Sequence, residues 1–208
     1  MWGWIIAACT MLLLMNACGS SQPLPAAQDK STQVAPQAAE PVSPIQRLRM
    51  QAERGNVEAQ FALAQAYDRG RDVPKDKAEA VRWYRLAAMQ GDMFAENALG
   101  DNYWEGTAVP KDDREAARWW RLAATQGFAP AQHSLGEMLS GGGQGVPTDT
   151  TQAYMWLVLS AAQGDEEAGR QGEILSKHLK PAELTTAKKL VKQWKPSRAS
   201  ITNNKIMQ

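Results

Sequence analysis

Apolar residues recur along the chain at the spacing of an α-helix. Between residues 59 and 67 they stand at i, i+3, i+4, i+7 and i+8, as Ala59, Ala62, Leu63, Ala66 and Tyr67. Such a series forms one stripe along a helix with 3.6 residues per turn. A second stripe follows a short loop, and its members are Ala80, Val81, Trp83, Tyr84, Ala87 and Ala88. The pattern predicts a pair of amphipathic helices, each of which must bury its apolar side against a neighbour.

This helix pair repeats along the chain. Three kinds of landmark recur every 36 or 37 residues, namely Gly55, Gly91, Gly127 and Gly164; Pro74, Pro110 and Pro147; Trp83, Trp119 and Trp156. The period defines units at about 55–90, 91–126 and 127–163, with a degenerate fourth at 164–195. The single extra residue falls in the glycine-rich loop 141–145. A fixed period of this size predicts a solenoid, in which each unit stacks on the next.

Local signals mark where the helices begin and end. Asp76, Asp112 and Asp149 each follow a Val-Pro-Lys or Val-Pro-Thr segment and can cap the second helix of a unit. The repeating glycine is expected to end that helix in the left-handed conformation. Ser43, followed by a proline, begins a short terminal helix that extends to Arg54. The solenoid is thus predicted to span 43–195.

Beyond Pro181 a last apolar stripe runs along one side of a helix, with lysines outside it. The stripe consists of Leu184, Ala187, Leu190, Val191 and Trp194, and the lysines are Lys188, Lys189, Lys192 and Lys195. One interpretation is a terminal cap with a solvated outer face. The other is a helix that lies on a membrane surface.

Several of these residues together resemble the Sel1-like repeat, a relative of the tetratricopeptide repeat. The first unit carries the pattern as Ala59-Gln60, Leu63, Tyr67, Gly70, Val73-Pro74, Asp76, Ala80 and Trp83-Tyr84. The third unit departs from it at Leu139, which replaces the tyrosine. The resemblance implies an all-α fold, an αα-hairpin repeat solenoid. It also implies a non-enzymatic scaffold that binds other proteins, in some members during cell-wall or exopolysaccharide assembly.

The N-terminal segment is uncharged and apolar up to Ala17. It ends in Asn16-Ala17-Cys18-Gly19, which resembles the lipobox of bacterial lipoproteins, although Met15 stands where leucine is usual. The resemblance implies a signal peptide at 1–18, a lipid anchor on Cys18, and, since glycine follows the cysteine, an outer-membrane location facing the periplasm. Two alternatives remain open: an uncleaved short anchor, and a cysteine incidental to an ordinary signal peptide.

Two segments are predicted to be disordered. Residues 19–42 are rich in proline, alanine, glutamine and serine, and they contain too few large apolar side chains to offset the entropy of ordering. They would form a tether between the anchor and the solenoid. Residues 196–208 would form a disordered tail.

Composition excludes several classes of function. Lys and Arg number 23 against 22 Asp and Glu, so the chain lacks the basic excess typical of nucleic-acid binding. Both cysteines, Cys9 and Cys18, lie in the leader, and the two histidines lie in different units, which leaves no metal-ligand set. The glycine loop at 141–145 lacks the Lys-Ser/Thr of a phosphate-binding loop. We therefore expect no cofactor and no small-molecule substrate.

One enzymatic alternative stays open at this point. Carboxylates on or near the first helices could approach in pairs, namely Glu96, Asp101, Glu105 and Glu137. By analogy with cysteine-rich Sel1-like proteins, the activity would be that of a cell-wall-related hydrolase or a penicillin-binding protein. The chain lacks the paired cysteines of that subgroup, and the preferred interpretation is that it is not an enzyme.

Comparison of the units identifies candidate binding residues. Trp104 is matched by Asp68 and Ser140 in the other units, so the repeat itself does not require an aromatic residue there. Phe61 is matched by Asn97 and His133. First helices of successive units are expected to line the concave surface of a solenoid. The predicted partner-binding set, for a segment of another envelope protein, is Phe61, Asn97, Asp101, Trp104, His133 and Glu137. The alternative is that each is covered by a neighbouring helix or is merely exposed.

Overall fold

The computed structural model describes residues 42–197, and within them it contains nine helices and no strand. The helices are α1 (Pro44–Glu53), α2 (Val57–Arg69), α3 (Lys77–Ala88), α4 (Met93–Glu105), α5 (Asp113–Thr125), α6 (Ala129–Gly141), α7 (Thr150–Ala161), α8 (Glu166–His178) and α9 (Pro181–Gln193). The all-α prediction is confirmed. The predicted leader, most of the predicted tether and residues 198–208 lie outside the described residues.

The helices form a stack of antiparallel pairs. The closest pairings are α2 with α3, α4 with α5 and α6 with α7, and each pair contacts the next through α3–α4, α5–α6 and α7–α8. The terminal helices α1 and α9 pack on α2 and α7. This is the predicted αα-hairpin repeat solenoid, because each pair buries its apolar sides against the pairs before and after it.

The periodic tryptophans pack in the interior, as their spacing predicts. Trp119 and Trp156 are only 7% and 4% exposed, and Trp83 is half-buried between two core clusters. The fully buried leucines Leu63 and Leu99 hold equivalent positions in two first helices. Large apolar side chains that recur at equivalent positions of the repeat therefore form the core between successive helices.

Capping follows the sequence prediction for the second helices. The side chains of Asp76, Asp112 and Asp149 accept hydrogen bonds from backbone N–H groups in the first turn of α3, α5 and α7. The glycine prediction needs a correction. The repeating glycines do have positive φ, but Gly91 stands two residues after the C-cap of α3, and the left-handed C-caps are Gly70 and Gly106 at the ends of first helices.

Both predicted terminal elements are present. Ser43 and Gln46 form a capping box at the start of α1. At the other end the chain continues past α9 along the solenoid, where the Ser197 N–H donates to the carbonyl of Thr125 at 2.9 Å. Pro196 and Ser197, assigned to the tail from composition, therefore lie where the second unit meets the third, beside Thr125 and Gly127.

A ladder of polar side chains runs through the interior of the stack. Its rungs are formed by one residue of a first helix and one at the end of the same unit's second helix, in the pairs Gln60–Gln90, Glu96–Gln126 and Gln132–Gln163. In each rung the Nε2 of the second residue donates to the first, over 2.7 to 2.9 Å. The ladder satisfies polar groups that the stacking buries. We call it the glutamine ladder.

Glu96 is the one acidic member of the glutamine ladder. It is 1% exposed, and burial raises its pKa from an ordinary 4.5 to about 8, against the opposing effect of the hydrogen bond from Gln126. The ladder position itself explains this burial, because Gln60 and Gln132 stand at the same place in the neighbouring units and are buried too. A neutral amide can be buried at this position without a charge, whereas burial disfavours the ionised form of a carboxylate there.

Candidate partner-binding surface

The outer side of α4 carries four residues at i, i+3, i+7 and i+10. They are Phe94, Asn97, Asp101 and Trp104, and we refer to them as the α4 stripe. This spacing places them on one face of the helix. Three of the four belong to the predicted binding set, and the structure brings them together with Phe94, which was not predicted.

The stripe begins in a row of aromatic rings. The Phe94 ring centroid lies 5.8 Å from that of Phe61 and 5.1 Å from that of Phe128, and Phe61 also contacts Tyr84 at 5.7 Å. Phe94 is 45% exposed, whereas Phe61 and Phe128 are half-buried. Phe61, predicted as an isolated aromatic, is thus one side of a cluster whose exposed member is Phe94.

Both missed phenylalanines were visible in the comparison of units. Phe94 is matched by Glu58 and Pro130, so its position has no need of an aromatic ring. Phe128 stands at the N-cap of α6, where the other first helices carry Asn or Asp, and α6 has no side-chain capping bond. Phe128 therefore gives up the capping hydrogen bond of α6 and instead makes a ring contact with Phe94 of the preceding unit.

Asp101, in the middle of the stripe, accepts a hydrogen bond at each of its two carboxylate oxygens. Its Oδ1 accepts from the indole Nε1 of Trp120 and its Oδ2 from the Nδ2 of Asn97, each at 2.9 Å. Burial raises the pKa of Asp101, and these hydrogen bonds act against that rise. Asn97 Oδ1 is buried and has no hydrogen-bond partner within residues 42–197. Asp101 therefore fixes the indole beneath the surface.

Trp104 stands on that fixed base. Its ring centroid lies 6.3 Å from that of Trp120, which is itself buried, and its side chain remains 49% exposed. The Nζ of Lys111 lies 5.7 Å from the Trp104 centroid, within range of a cation–π contact. The exposed indole is thereby supported from below and from one side while its outer surface stays open.

His133 and Glu137 form a separate group on α6, next to α8. His133 Nδ1 lies 2.8 Å from Oδ2 of Asp165, whereas its Nε2 is 3.9 Å from Glu137 Oε1. Burial acts to raise the pKa of Asp165, but hydrogen bonds from Ala168, Ser160 and His133 hold it below its ordinary value. Glu137 is exposed and accepts from Gln171 Nε2 at 2.8 Å. Both predicted residues are thus tied to the next first helix.

Two of the carboxylates considered for acid–base chemistry are engaged by neighbouring side chains. Between residues 42 and 197 no group of three or more His, Cys, Asp or Glu side chains is arranged to hold a metal ion. Of the carboxylates considered for acid–base chemistry, Glu96 is enclosed in the glutamine ladder and Asp101 has both oxygens engaged. Among the same residues no helix has the length and apolar character to cross a membrane.

Comparisons with known proteins agree with this architecture. The family profile described as the Sel1 repeat matches residues 57–92, 94–128 and 129–165. A crystal structure of a Sel1 repeat protein from Oxalobacter formigenes is 37% identical with a TM-score of 0.57, over 61% of this chain and 95% of that one. No curated protein sequence is significantly similar to the chain.

A second solved structure extends the similarity. It is a protective antigen present in uropathogenic Escherichia coli strains that displays an SLR fold, 30% identical with a TM-score of 0.54. The match covers 76% of this chain and 41% of the antigen, so the chain spans about two fifths of that protein.

Proposed function

The chain belongs to the Sel1 repeat family, whose members are generally non-catalytic scaffolds for protein interactions, and we propose that it binds a segment of a partner protein on the α4 stripe. The partner would lie as an extended strand or a helix across the outer sides of the first helices. Phe61 on α2 and Phe128 at the start of α6 flank Phe94 on its two sides, and the separate group of His133 and Glu137 on α6 would extend the surface.

The observation that carries the proposal is the supported, half-exposed indole of Trp104. Aromatic residues that anchor protein interfaces combine a large apolar area with a fixed orientation. Trp120 and Asp101 hold the base of the site, so binding would cost little side-chain entropy. The repeat does not require tryptophan at this position, since the other units carry aspartate and serine there. Packing of the solenoid alone therefore does not account for it.

Phe94 supplies a second anchor on the same helix face. It lies ten residues, or about 15 Å, before Trp104 along α4. Between them the Asn97 amide donates to Asp101, which keeps this part of the stripe in place. Two apolar anchors at this separation favour a partner that carries two apolar side chains at a matching distance.

We further propose that the solenoid works at the bacterial envelope, with a lipid on Cys18 anchoring it to the outer membrane on the periplasmic side. Support comes from the lipobox-like sequence alone, because Cys18 and the predicted tether before Val42 lie outside the described residues. The partner would then be another envelope protein. A Cys18→Ser change should move the protein from the membrane fraction to the soluble fraction; retention in the membrane fraction would contradict the anchor.

Capture of partners from solubilised envelopes tests the binding surface. Trp104→Ser installs the residue of the third unit and should abolish capture of proteins that the wild-type chain retains, and Phe94→Ala should weaken it. Phe61→Ala should weaken it less, because Phe61 is half-buried. The matched control is Ile174→Ala, which removes an apolar side chain that is 58% exposed on α8.

Two outcomes would count against this assignment. Unchanged capture by both Trp104→Ser and Phe94→Ala would place the interface elsewhere. Equal loss in Ile174→Ala would show that capture depends on exposed apolar area in general. Circular dichroism of each variant verifies that the solenoid is intact.

A further inference from the structure

A series of arginine–tyrosine contacts links successive units on another part of the solenoid. Arg49 donates to the hydroxyl of Tyr67, and Arg85 Nη2 donates to the hydroxyl of Tyr103 at 3.1 Å. In both cases the arginine precedes the tyrosine by 18 residues and lies on the helix before the first helix of the next unit. The contact therefore recurs with the repeat.

The third member of the series is broken. Arg121 stands 36 residues after Arg85, but the residue 18 positions beyond it is Leu139. Leucine has no hydroxyl to accept a hydrogen bond, and Arg121 has no hydrogen bond or ion pair within residues 42–197. The replacement leaves an exposed guanidinium at a place where the two preceding units engage theirs.

A pocket of about 380 Å³ opens at this place. Arg114, Arg118 and Arg121 line it along one side of α5, and Leu139, Val146 and Pro147 form its apolar part. The loop that carries the extra residue of the third unit forms the opposite wall, and Arg114 Nε donates to the carbonyl of Gly145 in it at 3.0 Å. The loss of the tyrosine ring and the longer loop coincide at one site.

The charge of the pocket is positive. Arg118 pairs with Glu115, so that its charge is partly balanced. The one acidic residue of the lining is Asp149, whose two oxygens accept from the backbone N–H and the Nε2 of Gln152, each at 2.9 Å. Arg121 and the Nη groups of Arg114, whose Nε donates to Gly145, can bind an incoming group, and a guanidinium favours a planar oxyanion.

We propose that this pocket binds an acidic segment of a protein partner, with a carboxylate on Arg121 and a neighbouring apolar side chain over Leu139. The apolar part of the lining and the volume suit a charged side chain together with an uncharged one. The site does not depend on the α4 stripe, because α5, the end of α6 and the loop before α7 form it, so either site can be wrong without the other.

Titration of the purified full chain with synthetic peptides tests the proposal. The probes are a capped peptide of alternating glutamate and leucine, a glutamine–leucine peptide and a glutamate–serine peptide, followed by NMR of the arginine Nε–Hε signals. The glutamate–leucine peptide should shift the signals of Arg114 and Arg121 and bind at least tenfold more tightly than either control peptide. Equal binding of either control peptide would overturn the assignment, as would phosphate alone binding as tightly.

The repeat itself provides the decisive variant. Leu139→Tyr restores the residue of the first two units, so its hydroxyl should accept from Arg121 and its ring should fill the pocket. Peptide binding should fall at least tenfold while the midpoint of thermal unfolding is kept or raised. Arg121→Gln should weaken binding similarly, and Arg85→Gln, which removes the equivalent arginine of the preceding unit, should leave it unchanged. Wild-type affinity in both Leu139→Tyr and Arg121→Gln would overturn the proposal.

Discussion

In the packed interior, equivalent positions of the three units keep nearly the same chemistry, whereas on the α4 stripe they differ. Gln60, Glu96 and Gln132 occupy one place in the glutamine ladder, and each accepts from a glutamine at the end of its unit. At the position of Trp104 the other units carry aspartate and serine. Contacts that every unit needs in order to stack are repeated, and residues outside those contacts are free to serve a partner.

A residue that differs from its equivalents in the other units has a different effect in each region. On the α4 stripe a departure adds an exposed aromatic ring without disturbing the stack. In the interior a departure has a physical consequence: glutamate in place of glutamine resists ionisation, and leucine in place of tyrosine leaves Arg121 beside a pocket without the hydroxyl that the arginines of the two preceding contacts engage. Each difference from the repeat can therefore be tested by restoring the residue of the neighbouring unit.

The sharpest contrast is between two tryptophans. Trp119→Ala removes a buried side chain and should lower the free energy of unfolding by about 3 to 5 kcal/mol. Trp104→Ala removes a half-exposed one and should lower it by less than about 1 kcal/mol. Urea denaturation of both variants measures the difference, and equal losses would break the distinction between interior and stripe.

The glutamine ladder predicts a dependence on pH. Because the folded-state pKa of Glu96 is about 8 and its ordinary value is 4.5, the native state holds the proton more tightly than the unfolded chain. The contribution of Glu96 to stability is fully present below pH 4.5 and is lost as the pH rises towards 8.

Glu96→Gln supplies the amide of the neighbouring units and removes this loss. The variant should be more stable than the wild type by roughly 2 to 4 kcal/mol at pH 8.5, and nearly equal to it at pH 4.5. Denaturant titrations at the two pH values check the prediction. A stability difference that does not change with pH would show that Glu96 ionises normally in the folded protein.

A smaller effect is expected from one glycine of the interior. A Cβ at Gly100 would lie 2.3 Å from Trp120 Cδ1, so Gly100→Ala should cost about 1 to 3 kcal/mol as the indole shifts. Gly141→Ala is the control, since a Cβ there would meet nothing within 4 Å and alanine favours a helix. Equal stability of the two variants would mean that Trp120 is not held in place as described.

Much of the fold was predictable because it depends on periodic, local signals. The helix pairs, the aspartate caps and the buried tryptophans all follow from residues that repeat. The site was less predictable, because it depends on which side chains meet across helices. Asp101 was expected to face a partner, yet it accepts from Trp120 of the next helix, a contact that no single stripe reveals. Comparison of the units could have identified Phe94 but not its ring contacts, since its partners lie in two other units.

Photo-crosslinking in cells from two exposed positions tests whether a partner binds on the α4 stripe. A photoreactive residue at Glu105, beside Trp104 at the end of α4, should form a defined covalent adduct with a partner protein, and Trp104→Ser in the same chain should abolish the adduct. The same photoreactive residue at Arg82 on α3 should form none. An adduct that forms equally from Arg82, or one from Glu105 that survives Trp104→Ser, would contradict binding on the α4 stripe.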